Sequence, residues 1–226
     1  MKLGVLFSGG KDSTFALHKA MLKDEVACLI TVVSGNPESF MYHTPNIEIT
    51  QLQADAIGLP FVKKSTEGVK EEELEALEAA IKTACEAYGI EGVVSGAIES
   101  VYQAERIQRI CDRLNLWCYN PLWKCDQVKL LHELVERGFK AIISGVFAYP
   151  MGEEWLGREI NDETITRLIE LKDKYQISPV GEGGELETTV LDAPIFKNRI
   201  DVQEYEIKSK NNAGTYVIKK ARLVSK

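Results

Sequence analysis

The chain has 226 residues, 45% of them hydrophobic, a formal net charge of −7 and five cysteines. That length can bury a substantial core without disulfides or metal staples, and no run of 18 or more apolar residues offers a membrane span. Acidity without a Lys/Arg-rich block argues against a nucleic-acid partner, and an odd cysteine count without a C-x-x-C pair fits reduced thiols in a cytoplasmic protein.

The first apolar stretch, Leu3 to Phe7, is too short for a signal peptide and reads as a strand. It runs into Ser8-Gly9-Gly10-Lys11-Asp12-Ser13, and a helical stripe of Ala16, Leu17, Ala20 and Met21 follows. Strand, glycine turn and helix in that order build an anion cradle. The glycines let backbone N–H groups converge, the helix N-terminus adds partial positive charge, and Lys11 adds a full one. The helix dipole contributes only about 0.3–1 kcal/mol, whereas a ligand held at about 100 µM needs about 5.5 kcal/mol. Charge-assisted hydrogen bonds at about 1.5–3 kcal/mol each must supply most of the difference. A Walker loop is excluded because Val5 and Asp12 stand where Gly and Ser/Thr are required, and no G-x-G-x-x-G follows the first strand.

Val26 to Val33 is a near-continuous apolar run of the kind found in buried parallel strands. Ile47 to Ile57 reads as a helix and Phe61-Val62 as a short strand. Glu71 to Tyr88 reads as a long helix with Leu74, Leu77, Ile81, Ala84 and Tyr88 on one face and Gly89 as its stop. Its acidic start, Glu71-Glu72-Glu73, is expected to be a solvated first turn. Gly92 to Ser95 is the next strand, Val101 to Leu114 a helix with Ile107, Ile110, Cys111 and Leu114 inward, and Leu116 to Tyr119 a strand. This alternation predicts a doubly wound parallel sheet with its ligand at the carboxyl edge, where Ser8 to Ser13, Ser34-Gly35 and Ser95-Gly96 emerge.

Beyond Pro121 the texture changes. Gln127 to Arg137 is a helix stopped by Gly138, Ala141 to Phe147 a strand, and Asp162 to Lys174 a helix with Ile165, Leu168 and Ile169 inward. Val202 to Ile207 and Tyr216 to Leu223 flank a hairpin signal, Asn211-Asn212-Ala213-Gly214. The chain is therefore divided into residues 1–120, an α/β nucleotide-binding domain, and residues 121–226, a smaller α+β substrate-binding domain. Cys111, Cys118, Cys125 and His132 recur every seven residues but fall on separate elements, so they are read as structural thiols and no metal ligands are assigned. Gly181 to Thr189 packs three glycines and three carboxylates into nine residues. It reads as a binding loop for a cation, with an exposed acidic loop as the alternative that composition leaves open.

SGGKDS resembles the PP-loop of the ATP pyrophosphatase superfamily, whose members split ATP between the α and β phosphates. Taken with SGAIESVYQAERI from Ser95, PLW-x-x-DQ from Pro121, and GEGGELET from Gly181 followed by LDAPIF, the chain resembles the diphthine–ammonia ligase family over almost its whole length. Its form is similar to compact archaeal members, and it is expected to lack the further C-terminal domains of eukaryotic relatives. Leu186 stands where that family more often carries an aromatic residue.

The resemblance implies an adenine nucleotide alpha hydrolase-like fold and a two-step reaction. The carboxylate of diphthine, a modified histidine on translation elongation factor 2, is adenylated by ATP with Mg²⁺, and ammonium supplies the amine that displaces AMP. By the same resemblance, Ser8, Gly9, Gly10 and Ser13 would hold pyrophosphate, with Lys11 neutralising it and Asp12 orienting Mg²⁺. Ser34, Ser95 and Gly96 would border the nucleotide, and Tyr102, Gln103 and Arg106 the substrate. Glu182, Glu185 and Glu187 would attract the quaternary ammonium of diphthine or bind ammonium, with Glu185 also expected in the chemistry. Whether His43 or Trp123 reaches the site, and the oligomeric state, are left open. The rival readings are a tRNA-modifying PP-loop enzyme and a non-catalytic ATP sensor.

Overall fold

The computed structural model describes residues 1–35, 45–67 and 70–226, save for the side chains of 70–72. Its first half is a parallel sheet in the order β3-β2-β1-β4-β5. The strands are β1 (Lys2–Leu6), β2 (Glu25–Ser34), β3 (Phe61–Thr66), β4 (Gly92–Val94) and β5 (Trp117–Tyr119). Helices α1 (Lys11–Met21), α2 (Thr50–Ile57), α3 (Lys70–Tyr88) and α4 (Val101–Leu114) connect them.

Period-two alternation decides which helix covers which face. Leu3, Val5 and Leu29 join Phe15, Leu17, Ala54 and Ile57 in one core, so α1 and α2 lie on that side. Cys28, Ile30 and Val32 join Leu77, Ile81, Ile107 and Ile110 in a second core beneath α3 and α4. Strand order reverses between β1 and β4, and the loops leaving their carboxyl ends diverge into the crevice where open α/β sheets take ligands.

The second half comprises α5 (Gln127–Glu136), β6 (Lys140–Val146), α6 (Asp162–Tyr175), β7 (Leu186–Asp192), β8 (Asn198–Lys210) and β9 (Ala213–Ser225). Its sheet is antiparallel, ordered β7-β6-β9-β8. The first core does not stop at the middle of the chain: Leu131, Ile143 and Val190 pack in the same cluster as Val5 and Phe15. This shared apolar contact sets β7 against the phosphate turn.

Four expectations are corrected. Residues from Leu186 onward are strand, not loop, because Leu186, Thr188 and Val190 alternate inward against β6 and only the glycine-rich part before them stays irregular. Glu73 is 3% exposed and accepts from Ser34 Oγ at 3.1 Å, so it is no part of a solvated turn. Met21 is 41% exposed and leaves the α1 stripe. The hairpin strands run 13 residues each, far beyond their apolar centres, because main-chain pairing continues through charged residues. His43 lies outside the described residues.

Candidate active site

A cavity of about 640 Å³ opens at the carboxyl edge of the parallel sheet, between the turn after β1 and the segment before β7. Two glycines make it possible. Gly9 sits at φ +77, and a Cβ there would lie 2.1 Å from Gln53 Oε1. Gly96 packs against the start of α1 so closely that a Cβ would lie 2.8 Å from Ser13 N and 2.9 Å from Asp12 C. The phosphate turn is thus wedged between α2 and the loop after β4.

β7 completes the clamp. Val190 N–H donates to Gly9 O at 3.0 Å, and Gln53 Nε2 donates to both Gly9 O (2.9 Å) and Val190 O (2.8 Å). Lys11 N–H donates to Thr188 Oγ1 at 3.1 Å. Ser8 and Ser13 close the turn internally, their hydroxyl oxygens 3.1 Å apart. Gln53 was not anticipated and nothing in its local sequence marks it, while Thr188 falls in the singled-out Gly181 to Thr189 segment but was given no role of its own; both roles come from contacts across 44 or more positions.

Lys11 is only 2% exposed. Its ammonium donates to Asp12 Oδ2 at 2.9 Å and to Val180 O at 2.5 Å, which bridges the phosphate turn to the glycine–glutamate loop. Asp12 Oδ1 is buried with no hydrogen-bond partner, a hard oxygen donor in the cavity wall. Apolar side chains of Leu6, Ile30, Val32, Leu77 and Ile107 line another part of the cavity, a surface suited to a purine base.

The acidic wall comes from Glu182 and Glu187, both in the lining. Desolvation pushes the Glu187 carboxyl up to about 7, with Lys11 opposing the rise and Asp12 adding to it. Burial also raises Glu182, against the lowering effect of the Glu99 N–H that its Oε1 accepts at 3.1 Å.

A closed ring of hydrogen bonds gathers three separate motifs. Glu182 Oε1 accepts from Glu99 N, Glu99 Oε2 from Gln127 Nε2 (3.1 Å), Gln127 Oε1 from Ser178 Oγ (3.0 Å), and Ser178 Oγ from Glu182 N (3.0 Å). The SGAIES, PLW-x-x-DQ and GEGGE segments are therefore one device. Asp126 in the second of these caps α5, accepting from Val128 N and Lys129 N at 3.0 Å each, which holds Gln127 in place.

Of the expected residues, Ser8, Gly10, Lys11, Asp12, Ser13, Ser95, Gly96, Tyr102, Gln103, Glu182 and Glu187 line the cavity. Gly9 lies behind it as a structural turn, and Ser34 is bonded to Glu73. Arg106 stacks its guanidinium 3.3 Å over the Tyr102 ring and donates to Tyr102 O, so it backs a lining residue from outside. Glu185 is also outside the lining: its oxygens accept from Ser178 N (3.1 Å) and Gly183 N (2.8 Å) of its own loop. Trp123 is half-buried and does not reach the cavity.

Residues 1–117 match the diphthamide synthase N-terminal domain and residues 126–224 the diphthamide synthase C-terminal domain. The chain belongs to the diphthamide synthase family. Among curated members, the diphthine–ammonia ligase of Danio rerio is 33% identical over 91% of this chain and 88% of its own length, and that of Homo sapiens 33% over 92% and 85%. The diphthine–ammonia ligase of Schizosaccharomyces pombe is 36% identical, but the chain spans only 37% of it. A solved chain from Methanocaldococcus jannaschii, described as a predicted subunit of tRNA methyltransferase, superposes with a TM-score of 0.45 at 19% identity, covering 86% of this chain and 98% of that one, too loosely to carry an argument.

Both family domains contribute walls to this cavity, and Leu186, 2% exposed, is buried at its edge. The cysteine–histidine series does not assemble. The proximity of Cys111 and Cys118 lowers the Cys118 thiol and raises that of Cys111, Cys118 Sγ accepts from Asn120 Nδ2 at 3.9 Å, and His132 pairs with Asp162. Among the described residues, no three His, Cys, Asp or Glu side chains are placed to hold a metal ion together, and no helix is long and apolar enough to cross a membrane.

Proposed function

We propose that this chain is an ATP-dependent amide ligase of the cytoplasm that converts diphthine on translation elongation factor 2 into diphthamide, consuming ammonium and releasing AMP and pyrophosphate. The observation that supports this most directly is the juxtaposition in one cavity of a lysine-bearing phosphate turn and a carboxylate-lined loop, joined by Lys11. Residues 1–120 supply the nucleotide part and residues 121–226 most of the substrate part.

A carboxylate is a poor acyl donor at neutral pH. Transfer of its oxygen to the α-phosphorus makes an acyl-adenylate, pyrophosphate leaves, and ammonia then displaces AMP. No protein nucleophile is needed, so the residues act by positioning and charge stabilisation. Ser8, Gly10 and Ser13 present donors to the β and γ phosphates, and Lys11 neutralises the charge that develops on the leaving pyrophosphate. Ser95 and Gly96 set the wall beside the ribose. The unpartnered Asp12 Oδ1 fits a hard divalent cation such as Mg²⁺, which when bound would supply further neutralisation of the phosphates. Tyr102 and Gln103 face the acceptor, with Arg106 stiffening Tyr102. Glu182 and Glu187 make the approach attractive to cations, and Glu185 keeps their loop folded.

The test is incubation of purified protein with diphthine-bearing elongation factor 2, ATP and ammonium. Formation of AMP, stoichiometric with conversion of the carboxyl to an amide by mass spectrometry, is expected. Release of ADP, or AMP release driven by bulk tRNA in place of the elongation factor, would refute the assignment.

A further inference from the structure

The PLW-x-x-DQ motif ends on Gln127, the first residue of α5, and no step of the proposed reaction uses its side chain. Two local contacts fix its place. Asp126 caps the helix that Gln127 begins, and Lys124 N–H donates to Ile98 O at 2.7 Å, which ties this turn to the loop just before Glu99.

The Gln127 amide works in both directions. Its Nε2 donates to Glu99 Oε2 at 3.1 Å and its Oε1 accepts from Ser178 Oγ at 3.0 Å. An ionised carboxylate has no proton to donate, so Glu99 turns the amide nitrogen toward itself and leaves the amide oxygen to take the hydroxyl proton of Ser178. The lone pairs of Ser178 Oγ then accept from Glu182 N at 3.0 Å, and Glu182 Oε1 closes the circuit by accepting from Glu99 N at 3.1 Å. Bonds running head to tail in this way polarise one another. Glutamate at position 127 would match the size and still accept from Ser178, but it would set a second carboxylate against Glu99. Leucine would make neither bond.

The side chain so held is Glu182, a lining residue of the cavity. It stands in a turn between Gly181 at φ +77 and Gly183-Gly184, with Gly184 at φ +80. Glycine neighbours give that backbone its widest freedom, so bonds reaching it from other elements must restrict it. Ser178 carries the restraint further, since its N–H donates to Glu185 Oε1 at 3.1 Å. We propose that Gln127 is a positioning residue for Glu182: through Glu99 and Ser178 it fixes that carboxylate in the cavity wall, where it draws in the cationic part of the substrate. The identity of that substrate, diphthine on the elongation factor, rests on the ligase reading, whereas the holding of Glu182 does not.

Three variants test this. Gln127→Leu removes both bonds and Gln127→Glu the one to Glu99. The combined exchange, Glu99→Gln with Gln127→Glu, lets the new amide donate to the new carboxylate, so the bond returns with donor and acceptor reversed. KM for the diphthine-bearing protein should rise about tenfold in each single variant. The ATP dissociation constant should stay within about a factor of two, and the combined exchange should bring KM back to within about threefold of the parent. Hydrogen exchange at the Glu182 amide, which needs no turnover, should quicken about tenfold in Gln127→Leu and return toward the parent rate in the combined exchange. A parent-like KM or a parent-like exchange rate in Gln127→Leu overturns the proposal, and so does a combined exchange no better than Gln127→Glu. Amide exchange that follows the variants as expected, in a protein making no AMP from the diphthine-bearing protein, would uphold the holding of Glu182 and defeat the ligase reading.

Discussion

Lys11→Met keeps most of the volume of a side chain that is 2% exposed while deleting the ammonium that holds Asp12 Oδ2 and Val180 O. Charge-assisted bonds contribute about 1.5–3 kcal/mol each, so the gross loss is about 3–6 kcal/mol. The Asp12 side chain is 32% exposed and regains water, which recovers much of its share, whereas the Val180 carbonyl is left without its donor. A net loss of about 2–3 kcal/mol remains, or a fall in Tm of roughly 4–12 °C at this chain length. ATP at a hundredfold excess over Kd should protect the parent protein by about 2.7 kcal/mol. Without the lysine the phosphate contact weakens Kd about 10- to 150-fold, so the same ATP concentration should protect the variant by about 1.4 kcal/mol or less. Scanning calorimetry with and without ATP measures both terms, and a single-turnover assay for AMP measures the chemistry. A variant that melts within about 1 °C of the parent and keeps the full ATP shift would show that Lys11 neither joins the two loops nor meets phosphate.

Glu187 gives a pH-dependent prediction. Its carboxyl is raised from 4.5 to about 7 in the fold, so the native state holds the proton more tightly than the unfolded chain. The contribution is full below the ordinary carboxylate range and is lost as pH rises toward 7, by up to about 3 kcal/mol. Urea unfolding of the nucleotide-free protein at pH 4.5 and 7.5 should show this loss in the parent and not in Glu187→Gln; parallel pH profiles would refute it. Gly96→Ala places a methyl group within 3 Å of the backbone of Asp12 and Ser13. It should weaken ATP binding at least about tenfold and cost roughly 1–3 kcal/mol of stability, and undiminished ATP affinity by titration would count against the close approach. Glu185→Ala frees the Ser178 and Gly183 N–H groups. It should raise KM for the protein substrate with the ATP dissociation constant within about a factor of two, and a collapse of ATP binding would make that loop a nucleotide element.

Much of the site was legible from the chain alone because phosphate binding is a local problem. SGGKDS needs only its preceding strand and following helix to build a cradle, and Ser95-Gly96 follows from the same alternation. Glu182 and Glu187 were visible as crowded carboxylates. Glu185, chemically identical and three residues from Glu182, turned inward onto its own loop, a choice made by the φ of +77 at Gly181 and +80 at Gly184 that no composition argument supplies. Ser34 stands at a strand end as expected, yet the neighbouring buried Glu73 engages it.

Sequence by itself determined the alternating strands and helices, the parallel sheet they imply and the anion-binding turn, since each depends on residues close along the chain, and the family resemblance, since it is carried by short motifs that are each local even though they are spread over the chain. Tertiary structure alone decided that β7 lies against that turn, that Gln53 and Thr188 hold it, and that three distant motifs close one hydrogen-bonded ring. Those relations depend on the register between strands and on a core shared by both halves of the chain, and a one-residue slip of β7 would turn Thr188 to the opposite face of its sheet.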